Sequence, residues 1–241
     1  MRRRYICGAF VGVLVIAAAL SATAGGAASS LRHGRIQLIS HSTSTNWSGY
    51  AVTGSRFTNV SSSWTEPTVT CSATAYSSFW VGLDGDTSST VEQTGTDADC
   101  SGRTPQYYAW YEMYPKFPVN FSNPVKPGDK LSASVTTNGS GSFTLTISDS
   151  TQKWTQTVSA RLKSAKLASA EVIAEAPSSS SGVLPLANFG TVSFSGASAN
   201  GALLTSTTPN IDPITMSSGS TVKAQPSTIS SGAFSVAWKH A

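Results

Sequence analysis

Apolar residues in this chain recur at every second position, in short runs cut off by turn residues, and hardly ever at every third or fourth. Leu131, Ala133 and Val135 alternate after the turn Lys126-Pro127-Gly128-Asp129, and Phe143, Leu145 and Ile147 repeat the pattern. The run from Ser78 to Leu83 reads as a compact strand that stops at Asp84-Gly85-Asp86. From Tyr107 to Tyr114, the residues Trp110, Glu112 and Tyr114 fall on one face, and Ala109, Tyr111 and Met113 on the other. Glu171, Ile173 and Glu175 share a face opposite Val172 and Ala174. Further strands are expected around Trp154 and Val158, Val192 and Phe194, and Phe234 to Trp238. The best helical candidate is the short stretch 161–170. Many short strands at this spacing predict an all-β chain: two packed antiparallel sheets in a β-sandwich or jelly roll.

The N-terminus reads as a targeting signal over residues 1–24. Arg2, Arg3 and Arg4 precede an apolar run from Ile6 to Leu20, and Ala22-Thr23-Ala24 matches a small-x-small cleavage site. The run is short of the ~20 apolar residues a membrane span needs, so a secreted, extracellular protein with no membrane association after signal removal is expected. Residues 25–45 are small or polar, without a clear period, and read as a linker or short pro-segment. The folded domain is expected over 46–241. Three of the 16 basic residues leave with the signal, so 13 face 12 acidic ones, and no basic patch remains to engage nucleic acid. Cys7 leaves too. Cys71 and Cys100 then form an even pair, which in an exported protein reads as a disulfide, with free thiols or metal ligands as the alternative.

Elimination narrows the chemistry. The expected domain holds one histidine, His240, next to the C-terminus, which leaves Ser-His-Asp, Cys-His and zinc chemistry without a positioned imidazole. No phosphate-binding or dinucleotide fingerprint occurs, and no cofactor or metal is implied. Carboxylates remain. Asp129, Asp149 and Asp212 sit in turns, whereas Glu112, Glu171 and Glu175 stand in strands among apolar and aromatic neighbours, where a carboxylate must be paired or neutral. Such placement marks either a site or the wet face of an open sheet.

Five ordered segments carry a resemblance. They are Asn46-Trp47-Ser48-Gly49-Tyr50, the run from Trp80 to Thr87 (WVGLDGDT), Val91-Glu92-Gln93-Thr94-Gly95, the run from Tyr108 to Pro115 (YAWYEMYP), and the run from Ala170 to Glu175 (AEVIAE). Together they resemble the glutamic peptidases, or eqolisins. The chain departs from the family pattern at Glu92, at Met113 and at Ala176-Pro177 after the last motif. The resemblance implies a concanavalin-like β-sandwich and an acid endopeptidase that uses Gln93 and Glu175 as a catalytic dyad. Trp47, Trp80, Asp84, Trp110, Glu112 and Tyr114 become candidates for the substrate cleft. It further implies direct attack by water, with protein or peptide substrates as partners and a monomeric enzyme. Two rival readings stand beside it: a jelly-roll glycoside hydrolase that pairs Glu112 with Glu175, and a non-catalytic carbohydrate-binding module. A pepsin-like use of Asp86-Thr87-Ser88 lacks the second lobe such enzymes need.

Overall fold

The structure is a computed structural model that describes residues 31–33, 38–40, 42–54 and 56–241. The segment read as a signal lies outside the described residues. Among the described residues no helix forms, and the chain is strands and turns throughout. Two sheets stack. The inner sheet runs, in spatial order, through Ile211–Ser218, Trp47–Thr53, Ser169–Glu175, Ser78–Leu83, Val91–Ser101, Thr104–Tyr114 and the short Val119–Asn120, every neighbouring pair antiparallel. The outer sheet runs through Trp154–Arg161, Ser142–Asp149, Lys130–Thr137, Asn59–Thr65, Thr191–Ala199, Phe234–Trp238 and Thr221–Pro226. The Ile211–Ser218 strand belongs to both: Ile211 to Ile214 pair with the inner sheet, Met216 to Ser218 with the Thr221–Pro226 strand.

Alternation decides which side chains meet. Phe79, Val81, Leu83, Val172 and Ala174 leave the inner sheet on one side and pack on Val135, Leu145, Ile147, Trp64 and Phe194 of the outer sheet. Residues at the intervening positions emerge on the opposite side and build a second, smaller apolar cluster of Trp47, Ala51, Trp80, Val91, Trp110, Ile173 and Ile214. The inner sheet is thus buried on both faces, and its strands read as nearly continuous buried runs. The outer sheet keeps one wet face, where Ser and Thr hydroxyls pair across strands, as Ser61 with Ser198 at 2.8 Å and Ser148 with Thr155 at 2.9 Å.

The expected strands form, but the helical candidate does not. Strand Trp154–Arg161 ends at Arg161, residues 162–168 make an irregular crossing, and strand Ser169–Glu175 follows. The backbone N–H groups of Lys166, Leu167 and Ala168 all donate to the Asp84 carboxylate, each at 2.8 Å. Leu167 sits at φ 57°, a left-handed conformation that no helix interior accepts. A buried acceptor from a distant turn therefore outcompetes the local i to i−4 bonds. Cys71 and Cys100 form a disulfide with a Cα separation of 5.4 Å, tying the loop ahead of the Ser78–Leu83 strand to the end of Val91–Ser101.

Candidate active site

Register assembles the site. Residues directly opposite one another in a ladder share a face. Glu175 opposes Trp47 and Ser78, Ile173 opposes Trp80, and Glu171 opposes Gly82. Gly82 opposes Gln93, which opposes Glu112. Trp80 opposes Gly95, which opposes Trp110. Ser78 opposes Asp97, which opposes Tyr108. Five adjacent strands thus place Glu175, Gln93, Asp97, Glu112 and the three indoles on the face turned away from the main core. Glycine at two of these positions makes room. A Cβ on Gly82 would stand 2.9 Å from the Trp80 ring and 3.2 Å from the Gln93 Cβ. One on Gly95 would stand 2.5 Å from the Trp80 Cβ.

The Glu175 carboxylate, 1% exposed, accepts hydrogen bonds from two side chains among the described residues. Trp80 Nε1 donates to Oε2 at 2.8 Å, and Asn46 Nδ2 to Oε1 at 3.2 Å. Asn46 is fixed in turn by Ser44, whose Oγ donates to Asn46 Oδ1 at 2.9 Å and accepts the Trp47 N–H at 3.1 Å. Trp47 packs edge-on against Trp80, centroids 4.9 Å apart, which sets the indole that reaches Glu175. Gln93 is fully buried. Its Nε2 donates to Glu112 Oε2 at 3.2 Å, while its Oε1 has no hydrogen-bond partner among the described residues. One amide N–H and the carbonyl oxygen therefore stay uncommitted. Glu112 is also fully buried, and burial raises its carboxyl above the usual range, although His33 pulls it back.

Other candidates are placed differently. Asp84 follows the Ser78–Leu83 strand, and its carboxylate is taken up by the three N–H groups of residues 166–168, so it anchors the approach to the Glu175 strand. Tyr114 packs, partly buried, against the smaller apolar cluster of Trp47, Trp80 and Trp110. Sequence reasoning missed Asn46 as a ligand of Glu175. It also missed Asp97, whose Oδ1 accepts Trp110 Nε1 at 2.6 Å. Asp97 could have been found, since it stands four residues after Gln93 in one strand and so on the same face. His33 carries no such signal. It comes from the segment read as a linker or pro-segment, yet its ring is 1% exposed and stacks on Trp110 with centroids 3.9 Å apart. Among the described residues no group of three or more His, Cys, Asp or Glu is arranged to hold a metal ion. An open depression on the outer sheet, lined by Thr136, Asn138, Thr144, Ser159 and Arg161 among others, contains no carboxylate and no member of the cluster above.

Residues 45–238 match the model of the Peptidase A4 family. Aspergillopepsin-2 of Aspergillus niger is 31% identical over 181 residues, which are 65% of this chain and 64% of that protein, so the chain spans a little under two thirds of the length of this relative. Scytalido-glutamic peptidase, solved with a transition state analogue inhibitor, superposes with a TM-score of 0.72 at 27% identity, covering 81% of this chain and 98% of the other. SCP-B, an eqolisin solved with the tripeptide Ala-Ile-His, gives 0.66 at 25% identity over the same shares.

Proposed function

This chain belongs to the Peptidase A4 family, the glutamic peptidases or eqolisins, and we propose that it is a secreted acid endopeptidase whose reacting groups are Glu175 and Gln93. The observation that carries the reading is the pair's setting: a carboxylate held by two N–H donors and a buried amide with an uncommitted oxygen, on one face of one sheet. Glu175 takes a proton from water as the water attacks the scissile carbonyl. It then returns a proton to the departing amine, so no acyl-enzyme forms. Gln93 cannot titrate. Its free N–H donates to the developing oxyanion, and its Oε1 orients the attacking water. Trp80 and Asn46 keep the carboxylate in place, and Glu112 fixes the amide plane of Gln93. The aromatic floor of Trp47, Trp80 and Trp110 supplies apolar surface to a peptide and excludes water.

Peptide substrates suit the two solved relatives, one bound to a transition state analogue and one to a tripeptide. A glycosidase pairing Glu112 with Glu175 is disfavoured, because Glu112 spends its Oε2 on Gln93 and the His33 backbone N–H. Export follows the reading of residues 1–24 as a signal and suits the Cys71–Cys100 disulfide. Mass spectrometry of the mature N-terminus tests that part, and sedimentation tests the expected monomer.

The decisive experiment is digestion of denatured protein from acid to neutral pH. Glu175→Gln preserves the shape and is expected to lower the rate at least about a hundredfold, the usual contribution of a positioned proton-transfer group. Gln93→Ala is expected to lose roughly a hundred- to a thousandfold. Wild-type turnover by either variant would remove that residue from the reaction.

A further inference from the structure

Burial sorts the charges of this chain by sign. All 12 Asp and Glu side chains lie within the described residues, and none is more than 9% exposed. Among the same residues ten Lys and Arg side chains are exposed, and only Lys223 is buried. The near balance of basic and acidic residues therefore conceals a surface whose exposed charged side chains are all basic. Both ion pairs among the described residues involve His33, so none of these exposed cations meets a carboxylate. A partner approaching from solvent meets the outer charges first, and they set the field it feels.

Three of the cations gather at one corner of the outer sheet. Strand Trp154–Arg161 ends with Ser159 and Arg161 exposed, opposite Thr144 and Ser142 of its neighbour, while Val158 and Ala160 turn inward. The turn 138–141 leads into that neighbour. Arg56 flanks it on one side, its guanidinium donating to Gly139 O at 2.9 Å. On the other side, a Cβ on Gly141 would stand 3.0 Å from the Lys163 Cα. Arg56, Arg161 and Lys163 thus bracket one turn.

Beside this turn lies the open depression on the outer sheet, about 530 Å³, whose lining includes Thr136, Asn138, Thr144, Ser159 and Arg161. Register extends it. Thr146, Ser134 and Ser61 stand opposite one another in the next row of hydroxyls, and Ser148, Ser132 and Ser63 in the row after. These six residues line a second depression of about 260 Å³. Lys130, Ser132, Ser134 and Thr136 share one face of strand Lys130–Thr137 and so run the length of the track. At ~3.4 Å per residue it extends about 20 Å and ends on a fourth cation, Lys130. No carboxylate lines either depression, and the one aromatic that does, Phe143, is buried with its ring in the core.

This chemistry selects the partner. Small hydroxyls in rows donate and accept hydrogen bonds, but they offer no exposed ring on which a base stacks and no apolar wedge for a lipid surface. A guanidinium fork suits a carboxylate, and the length of the track suits a polymer. We propose that the outer face of the outer sheet, from Arg56, Arg161 and Lys163 at one end to Lys130 at the other, is a docking surface for an extended acidic polysaccharide. Its carboxylates meet the cations, and its ring hydroxyls exchange hydrogen bonds with the Ser and Thr rows. The surface lies on the opposite side of the sandwich from Glu175 and Gln93, so the groove stays open while the polymer is held. It stands independently of the peptidase reading.

The test is calorimetric binding of the full chain to polygalacturonate at low salt, with neutral dextran, duplex DNA and phosphatidylglycerol vesicles for comparison. Polygalacturonate is expected to bind, more weakly as salt rises, and dextran is not. Arg161→Gln combined with Lys163→Gln is expected to weaken polygalacturonate binding about tenfold, the scale of two exposed charge contacts. Thr144→Val combined with Ser159→Ala keeps the charge, removes two hydroxyls and is expected to weaken it about fivefold. All four side chains are exposed, so the melting temperature is expected to stay at the parent value. No binding of polygalacturonate, or an affinity that neither double variant changes, would overturn the surface. Equal binding of DNA or vesicles would replace the polysaccharide with unselective adhesion to polyanions. Digestion of denatured protein by both double variants is expected at the wild-type rate. A loss of digestion in step with the loss of binding would put the polymer in the groove and overturn a separate face.

Discussion

Glu175 is held by donors that the chain places with few degrees of freedom. The Trp80 indole reaches it only because Gly82 and Gly95 leave the ring space and Trp47 braces its edge. Trp80→Phe keeps most of the apolar surface and deletes the N–H. Loss of a hydrogen bond to a charged group costs about 1.5–3 kcal/mol, which corresponds to roughly a ten- to hundredfold fall in kcat. KM is expected to move little, because the lost bond orients the carboxylate rather than gripping the peptide. A variant that raised KM and kept kcat would mean that Trp80 serves binding and leaves the proton transfer alone. Most of these side chains were legible in the sequence for a physical reason: a charged residue inside a period-two apolar strand must be paired or functional, and Glu112 and Glu175 stand out on that ground. Asn46 and His33 were not legible. Their partners lie 129 and 79 or fewer residues away along the chain, and nothing local betrays a contact that register alone creates.

At the scale of elements, alternation was informative and propensity was not. Leu131, Ala133 and Val135, or Phe143, Leu145 and Ile147, point inward as their spacing required. The stretch 161–170 has no strong period, and there a tertiary acceptor decides the conformation. Asp84 is that acceptor, and the crossing it holds leads directly into the Ser169–Glu175 strand. Asp84→Ala would leave three backbone N–H groups without their partner, at about 1–3 kcal/mol each where water cannot replace it. A loss of at least about 3 kcal/mol in urea unfolding is expected, with activity falling as the Glu175 strand loses its anchor. Asp84→Asn retains one acceptor and should lose less. If Asp84→Ala unfolded at the wild-type midpoint, the crossing would have to be held by Leu162 and Leu167 packing instead. The disulfide acts on the same scale. It closes a loop of 29 residues around the Ser78–Leu83 strand, and reduction is expected to cost about 3–4 kcal/mol, read as a lower melting temperature in the presence of a thiol.

At the scale of the whole molecule, the unusual property is the number of carboxyl groups buried without a basic partner. Burial pushes Glu66 up to about 8, against the pull of the Thr96 and Trp64 donors, and burial with the nearby Asp84 charge pushes Glu92 up to about 9. Glu171 and Asp99 are raised well above their usual range, with burial the first cause in both. A carboxyl whose folded value is raised binds its proton more tightly in the native state than in the unfolded one. Its contribution is fully present below the unfolded value near ~4.5 and is lost as pH climbs through the folded value. For Glu66 and Glu92 that window runs from ~4.5 to about 8 and about 9, each adding a slope of up to ~1.4 kcal/mol per pH unit. His33, also raised, works in the same direction above its ordinary value. Lys223, lowered by burial, works the other way, but in the alkaline range where lysine titrates. Against a total stability of about 5–15 kcal/mol, two such slopes are large. The melting temperature is therefore expected to be highest in acid and to fall steadily from pH 5 to pH 9. Glu66→Gln should flatten that decline by one group's share and should raise stability at pH 8 relative to the parent. A melting temperature that stayed level or rose across this range would mean that these carboxyls ionise inside the fold and that their burial gives no stability in acid.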